Sequence, residues 1–234
     1  MVEPLRALIF DVDGTLAETE EVHRLAFNRA FEEAGIPWSW DRTLYRALLA
    51  VSGGKERIRA YAADHDPGRT GIDALVRDVH ARKTEIYTGM VREGGVPFRP
   101  GVARLIEEAR AAGLILAVAT TTTRANVDAL LDANTGGTGH GWFATFACAD
   151  DAPPKKPDPM VYRVVLERIG LPASACIALE DSPNGVAAAT GAGIAVVVST
   201  SVYTDGDDFT GAAAVFPDFG SVTLDDLRSI HTKA

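Results

Sequence analysis

Short runs of almost wholly aliphatic residues alternate along the chain with longer stretches in which apolar positions recur every three or four residues. The runs at 5–10, 114–119, 175–179 and 194–198 show no inside–outside alternation, the pattern of strands covered on both faces; weaker runs lie at 143–147 and 213–216. Between them the spacing predicts helices over 101–112, stopped at Gly113, over 124–133, over 159–169, stopped at Gly170, and over 183–190. Strands alternating with helices predict an α/β fold: a parallel sheet with helices on both faces. The stretch from 18 to 96 breaks the alternation, because it holds no strand run. It predicts helices over 18–34, stopped by Gly35-Ile36-Pro37, and over 41–49, 55–63 and 72–90. An all-helical insertion of about 80 residues after the first strand implies two units. These are an α/β core domain of 1–16 and 98–234 and a helical cap domain of 17–97, with hinges near Ala17 and Val96-Pro97-Phe98.

Composition narrows the function. With 234 residues, 47% of them hydrophobic, the chain can bury a large core. Its formal net charge of -9 has the wrong sign for gripping a nucleic-acid backbone. No apolar run approaches the roughly 20 residues of a spanning helix, so no membrane partner is expected. The first residues carry no basic, apolar leader. A cytoplasmic monomer is expected, with the plastid stroma as its place only if a transit segment has been removed. Two cysteines, Cys148 and Cys176, are too few for a disulfide framework or a four-cysteine zinc site, and Cys176 sits in a strand run as a packing residue. The charge is uneven: residues 17–97 hold 12 cations and 13 anions, leaving 11 and 19 for the rest. The insertion therefore concentrates the cations an anionic ligand would need.

The candidate chemistry lies at the strand ends. The first strand runs into Phe10-Asp11-Val12-Asp13-Gly14-Thr15, where two carboxylates at i and i+2 share a face and Gly14 permits a sharp turn. Thr120–Thr123 follows the second strand, Lys155-Lys156-Pro157 follows the third, and Glu180-Asp181 follows the fourth. Parallel strands carry their carboxyl ends on one edge, the edge where open α/β sheets bind ligands, so these four segments should converge. Asp11, Asp13, Glu180 and Asp181 gathered together need a cation, and an all-oxygen ligand set suits Mg2+. Lys156 and the threonine hydroxyls suit phosphate oxygens, and Asp11 then has the chemistry of a nucleophile toward phosphorus. A calcium loop starting at Asp11 fails, since its twelfth position is Val22. The glycine-rich run 135–141 follows a helix rather than a strand, which argues for a flexible loop and against a dinucleotide cradle.

These four segments, in this order, resemble the four motifs of the haloacid dehalogenase superfamily. The helical insertion after the first motif resembles the mobile cap of the subgroup that includes β-phosphoglucomutase and small sugar-phosphate phosphatases. The resemblance implies a Rossmann-like core and Mg2+-dependent phosphoryl transfer. Asp11 would be the nucleophile and would form an aspartyl phosphate. Asp13 would protonate the leaving sugar oxygen and then deprotonate a water. Thr120 and the Thr121 amide would bind the phosphoryl group, and Lys156 would offset its charge. The metal would be held by Asp11, the Asp13 carbonyl and Asp181, with Glu180 a ligand or a partner of one. The runs Ala17-Glu18-Thr19-Glu20-Glu21-Val22-His23, Trp40-Asp41-Arg42, Ser52-Gly53-Gly54-Lys55-Glu56-Arg57-Ile58, His80-Ala81-Arg82-Lys83-Thr84-Glu85 and Ala117–Thr122 resemble one branch of that subgroup, the xylulose-1,5-bisphosphate phosphatases of Calvin-cycle organisms. Their activity removes a Rubisco inhibitor. By this resemblance Lys55, with Arg46 and Lys83, would grip the distal phosphate, and Glu20 and His23 would meet the sugar hydroxyls or position Asp13; Tyr45 and Trp40 are expected to be packing. The alternatives are a mutase that passes the phosphoryl group to a second hydroxyl, a phosphatase of another small sugar phosphate, and a non-catalytic phosphate-binding protein. The last would have lost a motif residue, and none is lost.

Overall fold

The computed structural model describes residues 3–234. Six parallel strands form one sheet in the order β3-β2-β1-β4-β5-β6: β1 (Ala7–Phe10), β2 (Ile115–Ala119), β3 (Thr145–Ala147), β4 (Cys176–Glu180), β5 (Ala195–Ser199) and β6 (Ala214–Phe216). All six are the runs read from the sequence. β1 lies between β2 and β4, with Phe10 opposite Val118 on one side and Leu179 on the other. The chain leaves β1 toward one edge and returns at β4 toward the other. The crevice at this switch of direction therefore opens above Asp11.

The two faces of the sheet are packed differently. On one face Leu8, Phe10, Leu116, Val118, Ile177 and Leu179 meet α5 (Val102–Ala111), α6 (Arg124–Thr135) and α9 (Leu224–His231). On the other, Ala7, Ala117, Ala119 and Ala178 are small, which lets α7 (Met160–Ile169) and α8 (Pro183–Gly191) approach closely, and Cys176 packs there as expected. Short polar residues start the helices that point at the crevice. Thr123 accepts from Asn126 N at α6, and Ser182 accepts from Gly185 N at α8, where Pro183 occupies the first turn.

Between β1 and α5 the chain forms only helices: α1 (Glu20–Glu33), α2 (Arg42–Leu48), α3 (Gly54–His65) and α4 (Ile72–Gly94). An aromatic cluster of Phe27, Phe31, Trp38, Trp40, Tyr45 and Tyr61 fills their interior and is continuous with the first face of the sheet. The insertion leaves and rejoins the core side by side, where Ala17 bridges to Phe98. Arg99 ties this crossing down, bonding the carbonyls of Gly14 and Thr200, Ser199 Oγ at 2.8 Å and the Glu18 carboxylate at 2.9 Å.

One expectation is corrected, and one element is added. The run 135–141 is no loose loop: Thr138–Trp142 forms a 3₁₀ turn, with Gly139 N donating to Thr135 Oγ1 and His140 bonding Asp132, away from the crevice. The sequence reading also missed α9, which starts at a reciprocal cap between Thr223 and Asp226. Among the described residues no helix is long and apolar enough to cross a membrane.

Candidate active site

The four strand-end segments meet. Lys156, on the loop between β3 and α7, reaches across three strand ends: its Nζ donates to Asp11 Oδ1 at 2.7 Å, to Glu180 Oε1 at 2.6 Å and to the Ala119 carbonyl at 3.0 Å. Glu180 is fully buried and also accepts from the Tyr162 hydroxyl at 2.5 Å. Asp181 sits against the backbone turn after Asp13. A methyl group at Gly14 would lie 1.9 Å from Asp181 Oδ2, and one at Gly185 would lie 1.9 Å from Glu180 Oε2. Both glycines thus leave room for a carboxylate, and Gly14 adopts a positive φ of 79° as well.

Asp11, Glu180 and Asp181 present oxygens within 4.8 Å of one another in a buried setting. Their electrostatics show too little positive charge. Burial, with the nearby Glu180 and Asp13 charges, pushes Asp11 up to about 7 against the pull of Lys156. Burial and the charges of Asp11 and Glu180 raise Asp181 well above the carboxylate range. Lys156, although desolvated, is held above the ordinary lysine range by Asp11 and Glu180. Three carboxylates share one ammonium, so a divalent cation with oxygen preference fits this donor set.

Asp13 belongs to a different network. Its Oδ1 accepts from Thr19 Oγ1 at 2.6 Å and pairs with His23 Nε2 at 2.9 Å, while Lys83 Nζ stands 2.5 Å from His23 Nδ1. Taken as an ammonium, Lys83 has only protons to offer, so His23 Nδ1 accepts and the imidazole proton sits on Nε2, facing Asp13. Burial would raise the Asp13 carboxyl, but the His23 and Thr19 contacts outweigh it and hold the group below the usual range. His23 is pushed down by burial and by Lys83, in keeping with a neutral ring. That ring stacks on Tyr87 at 4.0 Å. Both donors fall on Oδ1 of Asp13.

A cavity of about 800 Å3 opens above these groups, between the sheet edge and the helical insertion. Asp11, Asp13, Thr120, Thr121, Lys156 and Asp181 line the sheet side, and Glu20, His23, Arg46, Lys55 and Lys83 line the other. Thr120 is buried and its Oγ1 accepts from Thr122 N at 3.2 Å. Of the residues read as site residues, only Glu180 is absent from the lining, since it lies behind Lys156. Three partners qualify the sequence reading. Lys83 is buried with its ammonium on His23, so it serves the Asp13 network before any phosphate. Arg46 donates to the Asp205 carbonyl at 2.6 Å and to Asp207 Oδ1 at 3.3 Å. Tyr45 is more than packing, because its hydroxyl holds Glu20. The sequence reading missed Thr19 and Tyr162, which bond Asp13 and Glu180, and Arg57, His80, Asn184 and Tyr203, which line the cavity. Thr19, four residues before His23 on the helix start, carried the one usable signal.

A family model, haloacid dehalogenase-like hydrolase, matches residues 5–193. The protein CbbY encoded on a plasmid of Cupriavidus necator is 51% identical over 92% of this chain and 86% of its own length. The crystal structure of CbbY from Rhodobacter sphaeroides in complex with phosphate superposes with a TM-score of 0.89 at 44% identity, covering 95% of this chain and 99% of that one. A mutant of the same protein, crystallised with xylulose-(1,5)bisphosphate, matches with the same score, identity and coverage. With the matching model covering most of its length and its four motif segments converging on one crevice, the chain belongs to the haloacid dehalogenase-like hydrolases.

Proposed function

We propose that the protein is a Mg2+-dependent phosphoric monoester hydrolase of sugar phosphates that removes the 1-phosphate of xylulose 1,5-bisphosphate to give xylulose 5-phosphate. The observation that carries this reading is the separation of two carboxylates. Asp11 is bonded to Lys156 beside the acid cluster, and Asp13 is bonded to Thr19 and His23 on an independent chain. One can act on phosphorus while the other handles protons. The bisphosphate complex of the Rhodobacter sphaeroides relative supports the choice of substrate. The placement of Lys55 and Arg46 on the far wall of the same cavity supports it too.

Asp11, the Asp13 carbonyl and Asp181 would hold the metal, and Glu180 would fix Lys156 beside them. A bound Mg2+ would neutralise the crowded carboxylates and offset negative charge on the phosphoryl oxygens. An Asp11 oxygen attacks phosphorus and the bond from phosphorus to the sugar oxygen breaks. Thr120, the Thr121 amide and Lys156 meet the charge on the transferring oxygens. Because Thr19 and His23 occupy Oδ1 of Asp13, Oδ2 is the oxygen left to carry a proton, and the negative charge of a phosphate ester bound beside it raises the otherwise depressed carboxyl so that it holds one. It delivers that proton to the leaving sugar oxygen and takes one back from the water that cleaves the aspartyl phosphate. Glu20 accepts a sugar hydroxyl, and Lys55 and Arg46 take the distal phosphate. The helical cap moves as a unit about the Ala17–Phe98 crossing and excludes bulk water before chemistry.

The test is a phosphate-release assay with Mg2+ on xylulose 1,5-bisphosphate, ribulose 1,5-bisphosphate and β-glucose 1-phosphate, with product analysis and Asp11→Asn as control. Selective release from the xylulose compound is expected, with a loss of at least about 10³-fold in the variant. Isomerisation of glucose 1-phosphate without released phosphate would make the protein a mutase instead.

A further inference from the structure

Tyr45 is wholly buried on α2, its ring tilted against Phe27 and Trp40, yet its hydroxyl is committed at both ends. It accepts from Arg57 Nη1 at 3.0 Å and donates to Glu20 Oε2 at 2.7 Å. A phenol has one proton, and a guanidinium can only donate, so the direction of this chain is fixed: Arg57 to Tyr45 to Glu20. Arg57 is itself immobilised. Its Nε donates to the Leu48 carbonyl and its Nη2 to the Val51 carbonyl, each at 3.2 Å, and its guanidinium lies 5.2 Å from the Tyr45 ring centre. The anchor is therefore the C-terminal end of α2 and the turn that follows, where the carbonyl ends of the helix favour a cation.

At the other end of the chain, Glu20 lines the cavity, and among the described residues no donor reaches its Oε1. One carboxylate oxygen is thus pinned from behind while the other faces the ligand space. Glu20 is also within electrostatic reach of Lys83 and His23. Released from the phenol, its side chain is free to turn to the Lys83 ammonium and be lost to a ligand, besides disturbing the network on Asp13.

We infer that Arg57 and Tyr45 are positioning residues that hold Glu20 as a fixed hydroxyl acceptor, and that this chain gives the site its preference for polyhydroxylated sugar phosphates over phosphate esters that carry no hydroxyl. The inference rests on the phosphatase reading above. It differs from a packing role for Tyr45, because Tyr45→Phe keeps the ring and removes only the hydroxyl.

The experiment compares wild type, Tyr45→Phe, Glu20→Ala and the double variant by steady-state kinetics on xylulose 1,5-bisphosphate and on p-nitrophenyl phosphate, with thermal melts of all four. Wild-type release from the two esters tests the phosphatase reading by itself. The chain is tested by the sugar-to-aryl ratio of kcat/KM, read with whichever hydroxylated sugar phosphate the wild type turns over. Tyr45→Phe is expected to lower that ratio about tenfold, mostly through KM. In the Glu20→Ala background the same change should alter the ratio less than about twofold, because the acceptor it serves is already gone. Equal losses on both esters would reduce Tyr45 to a structural residue. Additive effects in the double variant would show that its hydroxyl acts on something other than Glu20. Either result overturns the inference.

Discussion

At the residue scale, identical side chains take different work from their surroundings. Asp11 and Asp13 are two positions apart, yet one is crowded by carboxylates and one ammonium, and the other accepts from a hydroxyl and an imidazole. The Asp13 network carries a pH signature. Burial pushes the Lys83 ammonium down to about 7 against the pull of Asp13 and Glu20. Below that value Lys83 is charged, can only donate, and fixes the His23 proton on the side of Asp13. Above it the amine has a lone pair and no longer dictates the tautomer. The kcat/KM profile should therefore fall as pH rises through about 7, and Lys83→Arg, which stays charged, should move that limb upward by at least a unit. A profile with the same limb in both proteins would remove Lys83 from this role. The reading of Lys83 as a distal-phosphate cation saw its charge and not its burial, because depth is not written in a helical stripe. Tyr45 is legible as an aromatic core residue, but the partners of its hydroxyl, Glu20 and Arg57, are not.

At the scale of elements, the start of α1 is held to the core by side chains distant in sequence. Glu21 accepts from Arg24 Nη2 at 2.7 Å, and Tyr203, from the segment after β5, donates to its other oxygen at 2.5 Å. Arg24 before all else, against the smaller cost of burial and helped by Tyr203 and Arg42, pulls the carboxyl down to about 2. A carboxyl whose folded value lies below its unfolded value of 4.5 adds stability that is full above 4.5 and is lost as pH falls toward 2. Glu21→Gln should therefore flatten the dependence of Tm on pH between about 4.5 and 2. The difference at neutral pH should be roughly 1 kcal/mol, since a half-exposed pair is screened, or about 2–4 °C. Thermal melts across that range check it. Helix periodicity found α1 to α8 within a few residues because each carries a stripe and a stop. It missed α9, whose signal is one reciprocal cap, Thr223 with Asp226, ahead of only two buried leucines, Leu224 and Leu227.

At the scale of the molecule, the proposed metal requirement links the backbone to the site. A methyl group on Gly14 would collide with Asp181, so Gly14→Ala must displace either the turn or the carboxylate. The concentration of Mg2+ needed for half-maximal activity should rise about 10- to 100-fold, while chelation should silence the wild type and Mg2+ should restore it. The metal should also raise the wild-type Tm by mass action and raise that of Gly14→Ala less at equal concentration. Calorimetric melts with and without Mg2+ separate this binding effect from a loss of catalysis.

By itself the sequence determined the layered α/β architecture, the helical insertion and the identity of the strand-end residues. Buried parallel strands, helix stripes and glycine or proline stops are local signals, and a parallel sheet puts every carboxyl end on one edge whatever the strand order. Tertiary structure alone decided the partnerships. Lys156 bonds to Asp11 across 145 positions, Lys83 to His23 across 60 and Tyr203 to Glu21 across 182. Those distances depend on strand order, on helix rotation and on how deeply each side chain is buried. No local pattern fixes these, because they are settled only when the whole core closes.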